Sequence, residues 1–263
     1  MTQRQGDVSV DIGNDGVAIV EVHRAPNNFF DFQLIQDIAT VYEGLDEDPA
    51  CRAIVLCSEG KHFCAGANFG GGDGQARSDG VNRATGGDLY GEAVRLIESK
   101  TPVVAAVQGA AVGGGLGLAC SADFRVGCSE TRMTANFAQL GFHHGFGLTI
   151  TLPPIVGQQK ALDLLYTGRR LNGEESHAIG LLDRFVDLEK VRDEAHAYAA
   201  EIASSAPLAV RSIRETMRQG IGDRYRLATA RERREQDRLQ KTQDFQEGIK
   251  ASAERRKPEF QGR

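Results

Sequence analysis

Two glycine-rich segments about fifty residues apart constrain this chain most: Lys61-His62-Phe63-Cys64-Ala65-Gly66-Ala67-Asn68 and Gly109-Ala110-Ala111-Val112-Gly113-Gly114-Gly115-Leu116-Gly117. Each follows an apolar, strand-like run, Ala53 to Cys57 and Val103 to Val107. The two loops can therefore leave neighbouring strands and bring bare backbone N–H groups to one point. Two such donors are what an oxyanion hole requires. Leu116 to Cys120 reads as the opening of a helix, whose free N–H groups and dipole favour negative charge. The competing reading is a dinucleotide-binding turn. With Gly113 and Gly115 in place its third glycine falls on Leu118, and no ribose-binding acid follows at the expected distance.

The rest of the chain alternates strand and helix signals. Asn14-Asp15-Gly16 between Val8–Ile12 and Val17–Val22 is a hairpin signature. Leu34, Ile35, Ile38, Val41, Tyr42 and Leu45 recur at helical spacing, with Asp48-Pro49 closing the segment, and a second helix runs through Ala93, Leu96 and Ile97. This order predicts an α/β fold with crossover connections over residues 1–170. From residue 171 to 263 the pattern turns helical, with candidates at Asp187–Ser204, Pro207–Gln219 and Asp223–Gln240. Gly70 to Asp88, polar and rich in glycine, reads as a flap over a ligand site.

At 263 residues, with 41% hydrophobic and 25% charged residues, the chain can bury a core without disulfide or metal staples. A net charge of −5 argues against nucleic acid or a membrane surface as the main partner. The mixed-sign run from Arg224 to Glu235 reads as a solvated helix laced with i,i+4 pairs. Cys51, Cys57, Cys64, Cys120 and Cys128 lie in or beside apolar or glycine-rich runs without ligand spacing, a pattern of packed, reduced thiols in a cytoplasmic protein. No signal sequence, membrane span or metal cluster is indicated.

Taken with Arg52 to Leu56, Phe63 to Ala67, Lys100 to Gly109, Ala122 to Val126, Thr167-Gly168 and the tail Glu254 to Phe260, the two loops resemble the enoyl-CoA hydratase/isomerase (crotonase) superfamily. The resemblance spans nearly the whole chain. It implies a crotonase-like (ββα)-repeat spiral core with a C-terminal helical subdomain, assembled as a homotrimer or a dimer of trimers. Its ligand would be an acyl-CoA thioester, with no cofactor beyond the CoA of the substrate. Carried over by position, the Ala67 and Gly114 N–H groups would hold the thioester oxygen. Cys64, Ala65, Gly113 and backbone near Asn27 and Asn28 would line the site and the CoA path, and Lys257 and Phe260 would meet the nucleotide, from a neighbouring subunit if not from the same one. Phe29, Phe30, Phe137, Phe142 and Phe146 would make the acyl pocket apolar.

The same carry-over removes the usual acids. The family's hydratases use two glutamates to move a proton and a water; those positions read Gly117 and Phe137 here, and neither side chain transfers a proton. Three alternatives follow: another acid or base acts, the chain binds acyl-CoA without turnover, or the two positions fall a few residues away. Asn136, Gln139, His143 and His144 are the nearest polar candidates, with Asp31 and Glu92 further off. His143 and His144 are the acid–base candidates because imidazole titrates near neutrality. His62 and His177 read as surface or structural residues, and Cys64 as a packing thiol with no adjacent base.

Overall fold

The computed structural model describes residues 3–68, 81–82 and 87–263. The segment from Gly70 to Asp88 that reads as a flap lies outside these residues, apart from Val81–Asn82 and Gly87–Asp88. In chain order the first half holds β1 (Gln3–Gln5), β2 (Val8–Ile12), β3 (Val17–Val22), α1 (Phe32–Glu47), β4 (Ala53–Ser58), β5 (Val81–Asn82), β6 (Gly87–Asp88), α2 (Leu89–Glu98), β7 (Val103–Val107), β8 (Ala110–Val112) and α3 (Gly114–Ser121). Then come β9 (Phe124–Gly127), β10 (Arg132–Thr134), α4 (Leu148–Val156), α5 (Gln158–Thr167), β11 (Leu171–Asn172), α6 (Gly173–Ala178), β12 (Arg184–Phe185), α7 (Val191–Ala203), α8 (Pro207–Met217), α9 (Ile221–Leu239) and α10 (Gln243–Ala253).

The main sheet runs β1-β2-β3-β4-β7-β9-β12. The expected hairpin pairs β2 with β3 antiparallel, Val8 opposite Val22, and from β3 onward every pairing is parallel. Parallel strands need crossovers, and α1 and α2 supply them. A second sheet, β11-β10-β8, holds the strand that leads into α3.

Both faces of the main sheet are covered, so its central strands are apolar throughout. On β4 the alternation is strict: Ile54 and Leu56 enter the large core with α1 and α2, while Ala53, Val55 and Cys57 face a second core. That second core is closed by Val191, Ala195, Ala199 and Ala203 of α7, one stripe at four-residue spacing. Small alanines let the helix lie close on the sheet. β12 and α7 thus bring residues after 171 onto the main sheet.

α1 starts where Asp31 accepts from the Leu34 N–H, 2.9 Å, an N-cap that fixes the preceding Phe29-Phe30 segment. α8 contributes no buried residue. It is held by polar groups instead: Asp123 accepts from Val103 N–H at 2.8 Å, Arg214 Nε at 2.9 Å and Arg218 at 2.8 Å. All five cysteines are free and buried. Among the described residues, no helix is long and apolar enough to cross a membrane.

Candidate active site

β4 and β7 are hydrogen-bonded neighbours, so the loops that leave their carboxyl ends emerge side by side. Gln108 Nε2 donates to Ser58 O at 2.7 Å, and Ser58 Oγ donates to Phe63 O at 2.8 Å. The loops then zip together: Phe63 N–H to Gln108 O at 2.9 Å, Cys64 N–H to Ala110 O at 2.9 Å, and Val112 N–H to Cys64 O at 3.0 Å. Cys64 and Ala111 form an isolated parallel bridge. His62 Nδ1 accepts the Ala110 N–H at 3.1 Å. That bond needs the neutral ring, and burial lowers the His62 pKa in the same direction.

Beyond the bridge the packing excludes side chains. Gly66 has φ +88, and a methyl group on it would fall 2.7 Å from Val112 O. One on Gly115 would collide with Cys64 O. Glycine is required at both positions for backbone to lie on backbone. Gly113, at φ +57, donates to Thr134 O at 2.8 Å and turns the chain into α3, which starts at Gly114. First-turn N–H groups have no acceptor within their own helix. Ala67, one residue past Gly66, follows the first strand of this crossing as Gly114 follows the second.

The Asn27–Phe30 segment closes one side. Ala65 N–H donates to Asn27 O at 2.9 Å and Phe30 N–H to Gly66 O at 3.2 Å. Asn28 is fully buried at φ +48; its amide donates to Glu59 O at 2.9 Å and His62 O at 2.6 Å, and accepts from Arg24 N–H at 3.0 Å. Arg24 pairs with Asp7 at 2.7 Å and Asp31 at 2.9 Å. Lys257 and Phe260 lie on an exposed tail folded back on α10, where Glu259 N–H donates to Glu247 and the Gln261 and Gly262 N–H groups to Asp244. Among the described residues, no hydrogen bond joins this tail to the Asn27–Ala67 segment.

The wall opposite the loops is aromatic. Phe30 packs on Gly114, leaving no room for a side chain there, and meets Phe146 edge-on at 5.5 Å. Phe137 lies 3.6 Å from the position of a methyl group on Gly113 and meets Phe142 edge-on at 5.4 Å; Phe142 meets Phe245 at 5.3 Å. Gly117 faces Phe146, with a methyl group there falling 2.8 Å from Phe146 Cβ. Cys64 is buried, and burial pushes its thiol up to about 11, so it remains a packing thiol. Gln139 donates to Thr167 O at 2.8 Å and Glu92 pairs with Arg95, so both are engaged in structure.

His143 and His144 stack at 4.2 Å on the loop between Phe142 and α4. His144 Nε2 lies 2.8 Å from Thr149 Oγ1, which donates to Glu232 Oε1 at 2.6 Å. Since the only hydroxyl proton goes to the carboxylate, His144 donates through Nε2 and keeps Nδ1 as its acceptor. Burial first, then His143, hold the His144 pKa down at about 3. His143 Nδ1 donates to His144 O at 2.8 Å, and His143 O accepts from Gln236 at 3.0 Å.

Glu232 had no signal as a site residue in the mixed-charge run. It is 1% exposed, accepts from the Gly147 N–H at 2.9 Å and the Thr149 N–H at 3.2 Å, and caps α4 from another helix. Burial raises its pKa. Tyr225, about two turns away on the same face of α9, donates to Phe146 O at 2.7 Å. The available signal was spacing: Tyr225, Thr229, Glu232 and Gln236 recur at four, three and four residues, and all are buried.

A family model described as enoyl-CoA hydratase/isomerase matches residues 13–263. A crotonyl-CoA hydratase of Syntrophomonas wolfei is 33% identical over 85% of this chain and 86% of its own length. A carnitinyl-CoA dehydratase of Proteus mirabilis is 30% identical over 91% of this chain and 93% of its own. A crystal structure of an enoyl-CoA hydratase/isomerase from Pseudoalteromonas atlantica superposes with a TM-score of 0.85 at 26% identity, covering 97% of this chain and all of that one. The crotonase-type fold is therefore shared along nearly the whole chain, and the chain belongs to the enoyl-CoA hydratase/isomerase family.

Proposed function

We propose that this protein is an acyl-CoA enzyme of hydratase, isomerase or related enolate chemistry. It holds the thioester oxygen between the Ala67 and Gly114 N–H groups. The observation that carries the reading is the parallel bridge of Cys64 to Ala111, from which both donors follow within three residues on packed glycine backbone. Fixed N–H groups lower the energy of a developing enolate without reorganising when it forms. The relatives named for CoA thioesters support the ligand class. CoA enters along Ala65 and Asn27, with Lys257 and Phe260 on the nucleotide, and no other cofactor is used. A trimer or dimer of trimers in the cytoplasm fits α8, which leaves Leu208 at 82% and Met217 at 79% exposure in the single chain.

A second reading, a non-catalytic acyl-CoA carrier or sensor, is favoured by one observation. Gly117 and Phe137 offer no proton-transfer group, and Phe146 fills the space before Gly117. His144, with a pKa held near 3, is a weak base. Calorimetry with acyl-CoA, CoA and free acid tests the ligand class; equal or absent binding of all three removes it. Exchange of C2 protons of butyryl-CoA in deuterated buffer then separates the readings. Exchange that is lost in His143→Ala or His144→Ala with binding kept assigns the base, and no exchange despite binding leaves the carrier.

A further inference from the structure

We infer that Phe146 sets the depth of the acyl site: its ring, set against Gly117, closes the pocket one turn of α3 beyond the oxyanion hole and restricts the site to short acyl groups. The inference rests on the acyl-CoA reading above and specifies which thioesters that site takes.

The starting observation is a backbone outlier. Phe146 has φ +57, a region in which a bulky residue is strained and glycine is not, so the backbone path alone gives no reason for an aromatic residue. The residue is 2% exposed, and its ring meets that of Phe30 edge-on, Phe30 itself lying on Gly114. Phe30 and Phe146 therefore form one wall spanning Gly114 to Gly117, about 4.5 Å along the helix axis. An acyl chain whose carbonyl oxygen sits on the Gly114 N–H runs along this wall and meets the Phe146 ring. Gly117 lends its missing side-chain volume to that ring. The wall is also fixed in place: Tyr225 holds the Phe146 carbonyl, and Glu232 holds the next N–H, at Gly147. An unfixed ring could swing aside for a longer chain; the peptide that follows the Phe146 Cα is tied at both its oxygen and its N–H.

The test is calorimetry of butyryl-CoA, octanoyl-CoA and CoA with wild type, Phe146→Gly and Phe146→Leu. Glycine suits the observed φ, so the deletion of the ring removes strain along with volume. Each methylene admitted to an apolar pocket is worth about fourfold in affinity. Wild type is expected to bind butyryl-CoA at least about tenfold tighter than octanoyl-CoA. In Phe146→Gly that ratio shifts towards octanoyl-CoA by about tenfold or more, with Phe146→Leu between. An equal ratio in wild type and Phe146→Gly overturns the depth limit. So does equal binding of both thioesters by wild type, which would leave the acyl-CoA reading standing. Binding of neither thioester beyond CoA itself removes that reading and this inference together. If Phe146→Gly fails to fold by circular dichroism, Phe146→Leu decides alone, and an unchanged ratio there overturns the inference.

Discussion

Phe146 stands where any side chain at Gly117 would have to go: a methyl group on Gly117 would fall 2.8 Å from Phe146 Cβ and 3.0 Å from its carbonyl oxygen. The glycine and the phenylalanine are one steric unit. Gly117→Glu alone should destabilise the protein by at least about 2 kcal/mol, through overpacking and a buried carboxyl. Adding Phe146→Gly should recover part of that loss. Urea denaturation of the two single variants and the double variant measures the coupling, and strict additivity would show that the two residues do not share space.

Tyr225→Phe should cost about 1 to 2 kcal/mol, because it strips the donor from a buried carbonyl while leaving the ring packing intact. A thermal or urea midpoint unchanged from wild type would mean that the Phe146 carbonyl finds another partner.

His144 gives the stability a pH dependence of defined sign. Its folded pKa, about 3, lies below the ordinary value of 6.5, so between these values the unfolded chain binds more protons than the folded one. Its contribution is full above about 6.5 and is lost as pH falls towards 3. Glu232, with its folded pKa raised by burial, acts in the opposite sense: its contribution is full below the ordinary carboxylate value of 4.5 and is lost as pH rises through the raised value. His144→Gln, which keeps a donor near Nε2, should therefore lose less stability than wild type on going from about pH 7 to pH 5. Equal losses in urea midpoint would contradict the buried neutral imidazole.

Much of this was legible because it is local. The Asn14-Asp15-Gly16 turn, the runs at β4 and β7 and the periodicity of α1 each carry their own chemistry in a few residues, and the three late helices fall within a few residues of their expected ends. The glycine pairs showed that two backbones approach. The register that joins them, Cys64 on Ala111, depends on strand order and could be had only from the fold. Glu232 was hidden for another reason: the spacing of Tyr225, Thr229, Glu232 and Gln236 marks a face, but a carboxylate on it reads as solvated, and its partners at Gly147 and Thr149 lie more than eighty residues away. Phe146 in a left-handed conformation is likewise a tertiary fact, since a phenylalanine's own Cβ favours negative φ and nothing local announces the exception.

Gly66→Ala addresses the proposed hole without touching a side chain. A methyl group at φ +88, 2.7 Å from Val112 O, must push the two loops apart and move the Ala67 N–H from its place. The Kd for butyryl-CoA should rise about tenfold or more, while that for CoA changes little. Equal weakening of both would assign the effect to the CoA path.

The most direct measurement is the carbonyl stretch of bound butyryl-CoA by isotope-edited infrared spectroscopy, using carbon-13 at C1. Two oriented N–H donors in a site walled by Phe30 and Phe146 should polarise the carbonyl more than water does. The band should therefore shift to lower frequency on binding, and the shift should shrink in Gly66→Ala. A band at its frequency in water, with the thioester fully bound, would contradict an oxyanion hole at Ala67 and Gly114.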